Sequence, residues 1–88
     1  RLLTFDAAEA YDRGDRCDME AGMAKYFASE AAVRNSEESL RIHGGYGYSK
    51  EYEIERYYRD AILMCIGEGT NEMQRMIISK QWIKRNPI

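Results

Sequence analysis

The stretch MEAGMAKYFASEAAVRNSEESLRI, residues 19–42, decides the fold of this chain. Its large apolar side chains recur at helical spacing, and the alanines between them are the strongest helix formers. No proline interrupts it, because the only proline of the chain is Pro87. The pattern predicts one long amphipathic helix whose small residues let a neighbouring helix approach closely.

A shorter helix is predicted before this stretch. Residues 2–13 carry apolar side chains at helical spacing, and Gly14 then offers a stop. Asp15 or Asp18 is placed to cap the long helix that follows. Two helices therefore account for the first half of the chain.

After the long helix, the glycines within residues 44–47 end the helical pattern. Residues 53–61 predict a short helix, and we interpret the apolar run 62–66 as an extended or tight connection. Residues 67–70 predict a turn, with Thr70 as the N-cap of a last helix. One face of that helix carries Met73, Met76, Ile77, Lys80 and Ile83.

The pattern as a whole predicts an all-α chain of three to four helices with no convincing strand, typical of part of a helix bundle. A chain of 88 residues buries only about 60–65% of the surface that its unfolded form exposes. On its own, such a chain would form a bundle with a small core. We therefore expect further helices to come from the rest of a longer chain or from partners.

Charge and cysteine usage exclude several function classes. A net charge of −2 leaves no basic field for nucleic acid, and no apolar run approaches the roughly 20 residues that span a bilayer. Cys17 and Cys65 match no CxxC pattern, and the single histidine cannot complete a zinc site, so we expect no metal. Two cysteines allow a disulfide, but reduced thiols are favoured because no secretory context is visible. Arg1 is not an initiator methionine, so the natural N-terminus can lie upstream.

The first segment with possible chemistry is RIHGGYGY, residues 41–48. Glycines at a helix end let the backbone turn sharply and let another molecule come near, and exposed N–H groups there can meet a phosphate or a ribose. Taken alone the signal is weak, because glycine after a helix is most often only a C-cap.

The second segment is IGEGTNEMQR, residues 66–75, in which Glu68 stands between two glycines. A carboxylate without neighbouring side chains can point into a cavity, and an apolar, dry cavity raises its pKa until it serves as a base near neutral pH. The alternative is a solvated acidic turn before a helix. The residues alone leave both interpretations open.

These two segments, in their order and spacing, resemble the C-terminal domain of the acyl-CoA dehydrogenase family. The stretch 23–28 is similar to the family's penultimate long helix, so the resemblance covers essentially the whole of residues 1–88. It implies part of an up-and-down four-helix bundle, without the family's N-terminal helical and middle β-domains. The matching motifs are His43 to Tyr48, Glu55-Arg56, Tyr58 to Ala61, Gly67 to Thr70 and Met73 to Arg75.

The resemblance implies a reaction. Glu68 matches the base that takes the α-proton of an acyl-CoA thioester, while the β-hydrogen leaves as a hydride to FAD and a trans-2-enoyl-CoA forms. Gly69 matches a residue whose backbone lies along the bound thioester. Two groups of positions are implied to contact FAD. The loop that touches the FAD of a neighbouring subunit is matched by Arg41, Ile42, His43, Gly44 and Gly45. The segment that contacts the flavin dinucleotide is matched by Thr70, Asn71 and Glu72. Arg41 departs from the family, which usually has glutamine there; an arginine can still donate to FAD, including its phosphates.

The same resemblance implies partners and a location. We expect an acyl-CoA substrate, an electron-transfer flavoprotein as electron acceptor, and a homo-oligomer, either a dimer or a tetramer. A bacterial cytoplasm and a mitochondrial matrix are both compatible with it, and secretion is not expected. Two alternatives stay open: a non-catalytic helical module that lends a FAD-facing loop to a partner, and a relative with altered chemistry such as an acyl-CoA or nitroalkane oxidase.

We predict that the 88-residue chain alone neither holds FAD nor turns over, because the domains that bind most of the flavin in the resembling family are absent from it. The measurement is the visible absorbance of the purified chain, together with dye reduction by acyl-CoA. A yellow, active preparation would contradict the prediction.

Overall fold

The computed structural model describes all 88 residues and contains four α-helices. No residue lies in a strand, so the predicted all-α class is confirmed. No helix combines the length and the apolar content that crossing a membrane requires. The helices are α1 (Leu2–Asp12), α2 (Asp18–His43), α3 (Ile54–Ile66) and α4 (Asn71–Arg85), with one 3-10 turn (Gly44–Tyr48) after α2.

The first half of the chain follows its prediction closely. The ends of α1 and α2 fall within one residue of the predicted ranges 2–13 and 19–42. Gly14 adopts a φ of 80°, a left-handed conformation that closes α1 at low cost because glycine has no Cβ. Asp18, not Asp15, lies in the first turn of α2, where a carboxylate suits the helix dipole.

The interpretation of residues 62–66 as an extended or tight connection was wrong. Helix α3 continues through Ile66, and only Gly67, with extended backbone, ends it. The run contains neither glycine nor proline, and Leu63 and Met64 are good helix formers. Periodicity alone does not distinguish a short apolar connection from the end of a helix, which is why the run was misassigned.

The chain forms two compact units. The first unit comprises residues 1–27 and 69–88, which contain α1, the N-terminal part of α2, and α4. The second unit comprises residues 28–68, which contain the rest of α2, the 3-10 turn and α3. Both cysteines are free, one in each unit.

In the first unit, α4 packs closely on α2 at Gly22. A Cβ atom at this position would lie 3.0 Å from Gln74 Oε1 and 3.3 Å from Ile78 Cγ1. The small residues of α2 therefore permit the close approach that the sequence predicts.

The two buried residues of α4 are both polar. Asn71 and Gln81 are only 3% and 4% exposed. Met73, Met76 and Ile83, from the predicted apolar stripe, are 48%, 63% and 68% exposed. The stripe therefore exists as predicted, but the 88 residues do not cover it.

In the second unit, the 3-10 turn packs on the last turns of α2. Gly47 is buried, and a Cβ there would lie 2.5 Å from the Leu40 carbonyl oxygen, so no larger residue fits. Tyr52 contacts the rings of His43 and Tyr46, with centroids 6.0 and 5.7 Å apart. Tyr52 therefore joins the 3-10 turn to the end of α2.

An ion pair ties the end of α4 to the start of α2 in the first unit. The Arg85 guanidinium donates to both carboxylate oxygens of Glu20 and, over 3.0 Å, to the Arg16 carbonyl. The Glu20 side chain is largely buried in this contact. The hydrogen bond from Arg85 lowers the pKa of Glu20 below its ordinary value.

We predict that Glu20 contributes to the acid sensitivity of the fold. Because its folded pKa is lowered, its stabilisation is fully present above the ordinary glutamate pKa of about 4.3 and is lost as pH falls through the lower folded value. Glu20→Gln should lower the midpoint of thermal unfolding at neutral pH and flatten its decline on acidification. Glu38→Gln, at an exposed position of α2, is the control and should keep the wild-type slope. An unchanged slope for Glu20→Gln would contradict the assignment.

Candidate functional site

The turn between α3 and α4 holds Glu68 in an unusual backbone conformation. Its φ is 56°, and it is the only residue other than glycine with a positive φ in the chain. The left-handed region costs a side-chain-bearing residue on the order of 1 kcal/mol or more. Such strain persists only where the surroundings fix the backbone, and it concentrates at functional sites. The geometry therefore singles out the residue that the sequence marks by its flanking glycines.

The Glu68 side chain is exposed to solvent in this chain. The dry cavity that would make it a base is not formed by these 88 residues.

Gly69 follows with a φ of 85° and has two reasons to be glycine. The left-handed conformation strains any side chain, and a Cβ would lie 2.9 Å from Gln74 Nε2. Its carbonyl oxygen accepts a hydrogen bond of 2.9 Å from Lys25 Nζ and a long one of 3.5 Å from Gln74 Nε2. The backbone at Gly69 is therefore held by the first unit.

The start of α4 confirms the predicted cap. Thr70 Oγ1 accepts from the Met73 N–H over 3.2 Å, which satisfies one of the free donors of the first turn. The next residue, Asn71, is buried, and its Oδ1 accepts from Lys25 Nζ over 2.7 Å. Glu72 is exposed in the first turn, where its charge suits the helix dipole.

The loop at the end of α2 is open. Gly44 has a φ of 67°, and a Cβ at Gly44 or Gly45 would contact nothing within 4 Å. Ile42 is 85% exposed, and His43 Nδ1 lies 2.7 Å from the Ser39 carbonyl oxygen, which fixes its ring to the helix end. Arg41 contacts Glu37 over 3.3 Å in an exposed pair of little energetic weight, so its guanidinium stays available.

The predicted site residues thus fall into two groups. Gly69, Thr70, Asn71 and Glu72 lie together at the start of α4 in the first unit, while residues 41–45 and Glu68 belong to the second. The sequence missed Lys25. Its only signal was a charged side chain within the small and apolar stretch 23–28. No group of His, Cys, Asp or Glu side chains is arranged to hold a metal ion.

Comparison with known proteins gives one family. Residues 1–83 match the family described as acyl-CoA dehydrogenase, C-terminal domain. The chain is 54% identical over 80 residues to an acyl-CoA dehydrogenase of Bacillus subtilis, covering 91% of this chain and 21% of that protein. It is 50% identical over 84 residues to a 3-(aryl)acrylate reductase of Clostridium sporogenes, covering 96% and 22%.

A solved structure agrees. The match is to a chain in the structure of the electron transferring flavoprotein of Acidaminococcus fermentans, with a TM-score of 0.92 and 38% identity. It covers 96% of this chain and 22% of that one. The 88 residues therefore span about a fifth of the length of the proteins that they match.

The strain at Glu68 predicts an unusual response to glycine. Glu68→Gly should have a higher free energy of unfolding than Glu68→Ala, because both variants lose the carboxylate and only glycine relieves the backbone strain of about 1 kcal/mol or more. At the control position Glu38, inside α2, the order should reverse, with Glu38→Gly about 1 kcal/mol less stable than Glu38→Ala. Denaturant unfolding of the matched variants measures both differences, and the same order at both positions would show that Glu68 is not strained.

Proposed function

The chain belongs to the acyl-CoA dehydrogenase family, as its C-terminal domain, and from this premise we propose that the protein oxidises an acyl-CoA thioester to the trans-2-enoyl-CoA with Glu68 as base. The observation that carries the proposal is the left-handed backbone of Glu68 between Gly67 and Gly69. A carboxylate on a strained turn, with no side chain on either side, is presented to whatever lies over that turn. A base must reach the substrate proton that it removes, and a carboxylate presented in this way can do so.

The chemistry explains why the carboxylate is exposed in this domain. The α-proton of a thioester is weakly acidic, so the base must act in a site from which water is excluded. We propose that the acyl-CoA and the parts of the protein outside these residues cover the turn and supply that environment. The backbone N–H of Glu68 and the backbone of Gly69 then lie along the thioester and help to stabilise the enolate-like charge.

The residues proposed for FAD fit an extended polar group. Gly44 and Gly45 leave open space beside the backbone, and the exposed Arg41 guanidinium can donate to a phosphate. Thr70 and Glu72, proposed for a separate FAD contact, lie near the backbone N–H groups at the N-terminus of α4. FAD, when bound, accepts the hydride from the substrate β-carbon. The chain's own part is to bind and orient it and to hold the base.

Partners outside the chain are also proposals. The similarity to a chain in an electron transferring flavoprotein structure supports such a flavoprotein as the electron partner. The exposed apolar stripe of α4, represented by Met73, Met76 and Ile83, supports burial in a dimer or tetramer or against other domains of the protein. A bacterial cytoplasm or a mitochondrial matrix is the proposed location.

A second function is favoured by one comparison. Identity of 50% to a 3-(aryl)acrylate reductase supports the reverse direction, in which a hydride goes to the β-carbon and Glu68, protonated, gives its proton to the α-carbon. The same residue serves both directions. Assaying the complete protein with a saturated acyl-CoA and an electron acceptor, and then with an enoyl-CoA or an arylacrylate and a reductant, separates the two.

We predict that Glu68→Gln abolishes turnover while FAD and acyl-CoA still bind. Glutamine keeps the size of the side chain but cannot take a proton, and loss of a positioned base lowers rates by about 100- to 10,000-fold. Stopped-flow bleaching of the flavin by acyl-CoA is the measurement, with FAD content and ligand affinity taken from the same preparation. Glu51→Gln, at an exposed position after the 3-10 turn, is the control and should react like the wild type. Substantial activity in Glu68→Gln would show that Glu68 is not the base, and it would favour the non-catalytic module.

A further inference from the structure

Lys25 joins two parts of the first unit that lie far apart in sequence. From α2, its Nζ donates to the Gly69 carbonyl oxygen over 2.9 Å and to Asn71 Oδ1 over 2.7 Å. These acceptors are 44 and 46 positions away along the chain. Both lie at the junction between the Glu68 turn and α4.

The position is not one that the helix dipole favours for a cation. The N-terminus of α4 carries the positive end of its dipole, which repels an ammonium group. Two charge-assisted hydrogen bonds hold Lys25 there despite this, and one of them goes to the buried Asn71 side chain. The role of Lys25 therefore lies in the two acceptors that it fixes.

Fixing the Gly69 carbonyl matters because it fixes the backbone directly after Glu68. Gly69 has access to many backbone conformations, and the second bond to its carbonyl, from Gln74, is 3.5 Å long. Glu68 stands directly before it at a φ of 56°, a conformation that relaxes unless the neighbouring backbone is fixed. Lys25 holds the peptide plane that follows Gly69 and anchors the first residue of α4 at the same time.

We propose that Lys25 is a positioning residue for the reaction proposed above. Its ammonium group locks the Gly69 carbonyl and the Asn71 amide, and it thereby keeps the Glu68 carboxylate in the orientation that takes the substrate proton. The inference rests on the proposed function, since it assigns a role through Glu68 and none of direct contact with substrate.

The test uses the complete, FAD-loaded protein with Lys25→Met, which removes the ammonium group and keeps an unbranched side chain. Flavin reduction by saturating acyl-CoA, expressed per FAD-loaded site, should slow about 10- to 100-fold, as expected for a misplaced catalytic group. KM for acyl-CoA should stay within about threefold, because the substrate contacts are unchanged. The isotope effect of α-deuterated substrate on flavin reduction should rise, because proton removal then limits the rate more fully.

Matched variants separate positioning from folding. Lys84→Met, at an exposed position in the last turn of α4, should behave as the wild type. Lys25→Arg, which keeps a cation with several donors, should recover most of the rate. If Lys25→Met fails to retain FAD, Lys25→Gln decides in its place: slower flavin reduction at full FAD occupancy supports the inference, and a wild-type rate overturns it.

Two results overturn the inference: a wild-type rate per FAD-loaded site in Lys25→Met, or a loss confined to KM. Running Glu68→Gln in parallel distinguishes this failure from that of the proposed function. If Glu68→Gln keeps turning over, the proposed function itself fails. If Glu68→Gln is inactive while Lys25→Met is unimpaired, only the positioning role fails.

Discussion

The close approach of α4 to α2 at Gly22 is the constraint on which the first unit depends. With no side chain at this position, Gln74 and Ile78 of α4 come within van der Waals contact of the α2 backbone. Lys25 lies three residues further along α2, on the same face of the helix, and at this separation its ammonium reaches the start of α4. A larger residue at position 22 would press on Gln74 and Ile78 and disturb the packing that brings Gly69 and Asn71 to Lys25. The geometry of the backbone after Glu68 therefore depends on how α4 packs on α2.

The sequence predicted the helices well where local signals are strong. The alanine-rich pattern of residues 19–42, the stop at Gly14 and the cap at Thr70 each depend on neighbours in sequence. The apolar run 62–66 was misassigned because periodicity does not distinguish a short strand from the end of a helix. The stripe through Met73 and Met76 was found, but periodicity does not say what covers it. Within these residues α4 instead buries Asn71 and Gln81.

In the candidate site, too, the sequence revealed the residues that have a local signal and missed those that depend on packing. Glu68 and Gly69 were visible in the sequence because flanking glycines are a local signal. Their left-handed backbone was not visible, since glutamate gives no indication of a positive φ. Lys25 could not be predicted from the sequence, because its two acceptors are brought to it only by the packing of α4 on α2. Family membership supports the proposed chemistry, and the geometry shows what holds the backbone that follows Glu68.

The Arg85–Glu20 ion pair has a consequence for how α4 moves. Helix ends ordinarily fray, and their amide protons exchange with solvent long before those of the centre. Here the first turn is fastened to α2 by Lys25 and the last by Arg85, so both ends carry tertiary bonds. Amides from 75 to 85 should then exchange with deuterium as one cooperative block. The helix that follows the Glu68 turn would open as a whole or not at all, which makes it a rigid support for that turn.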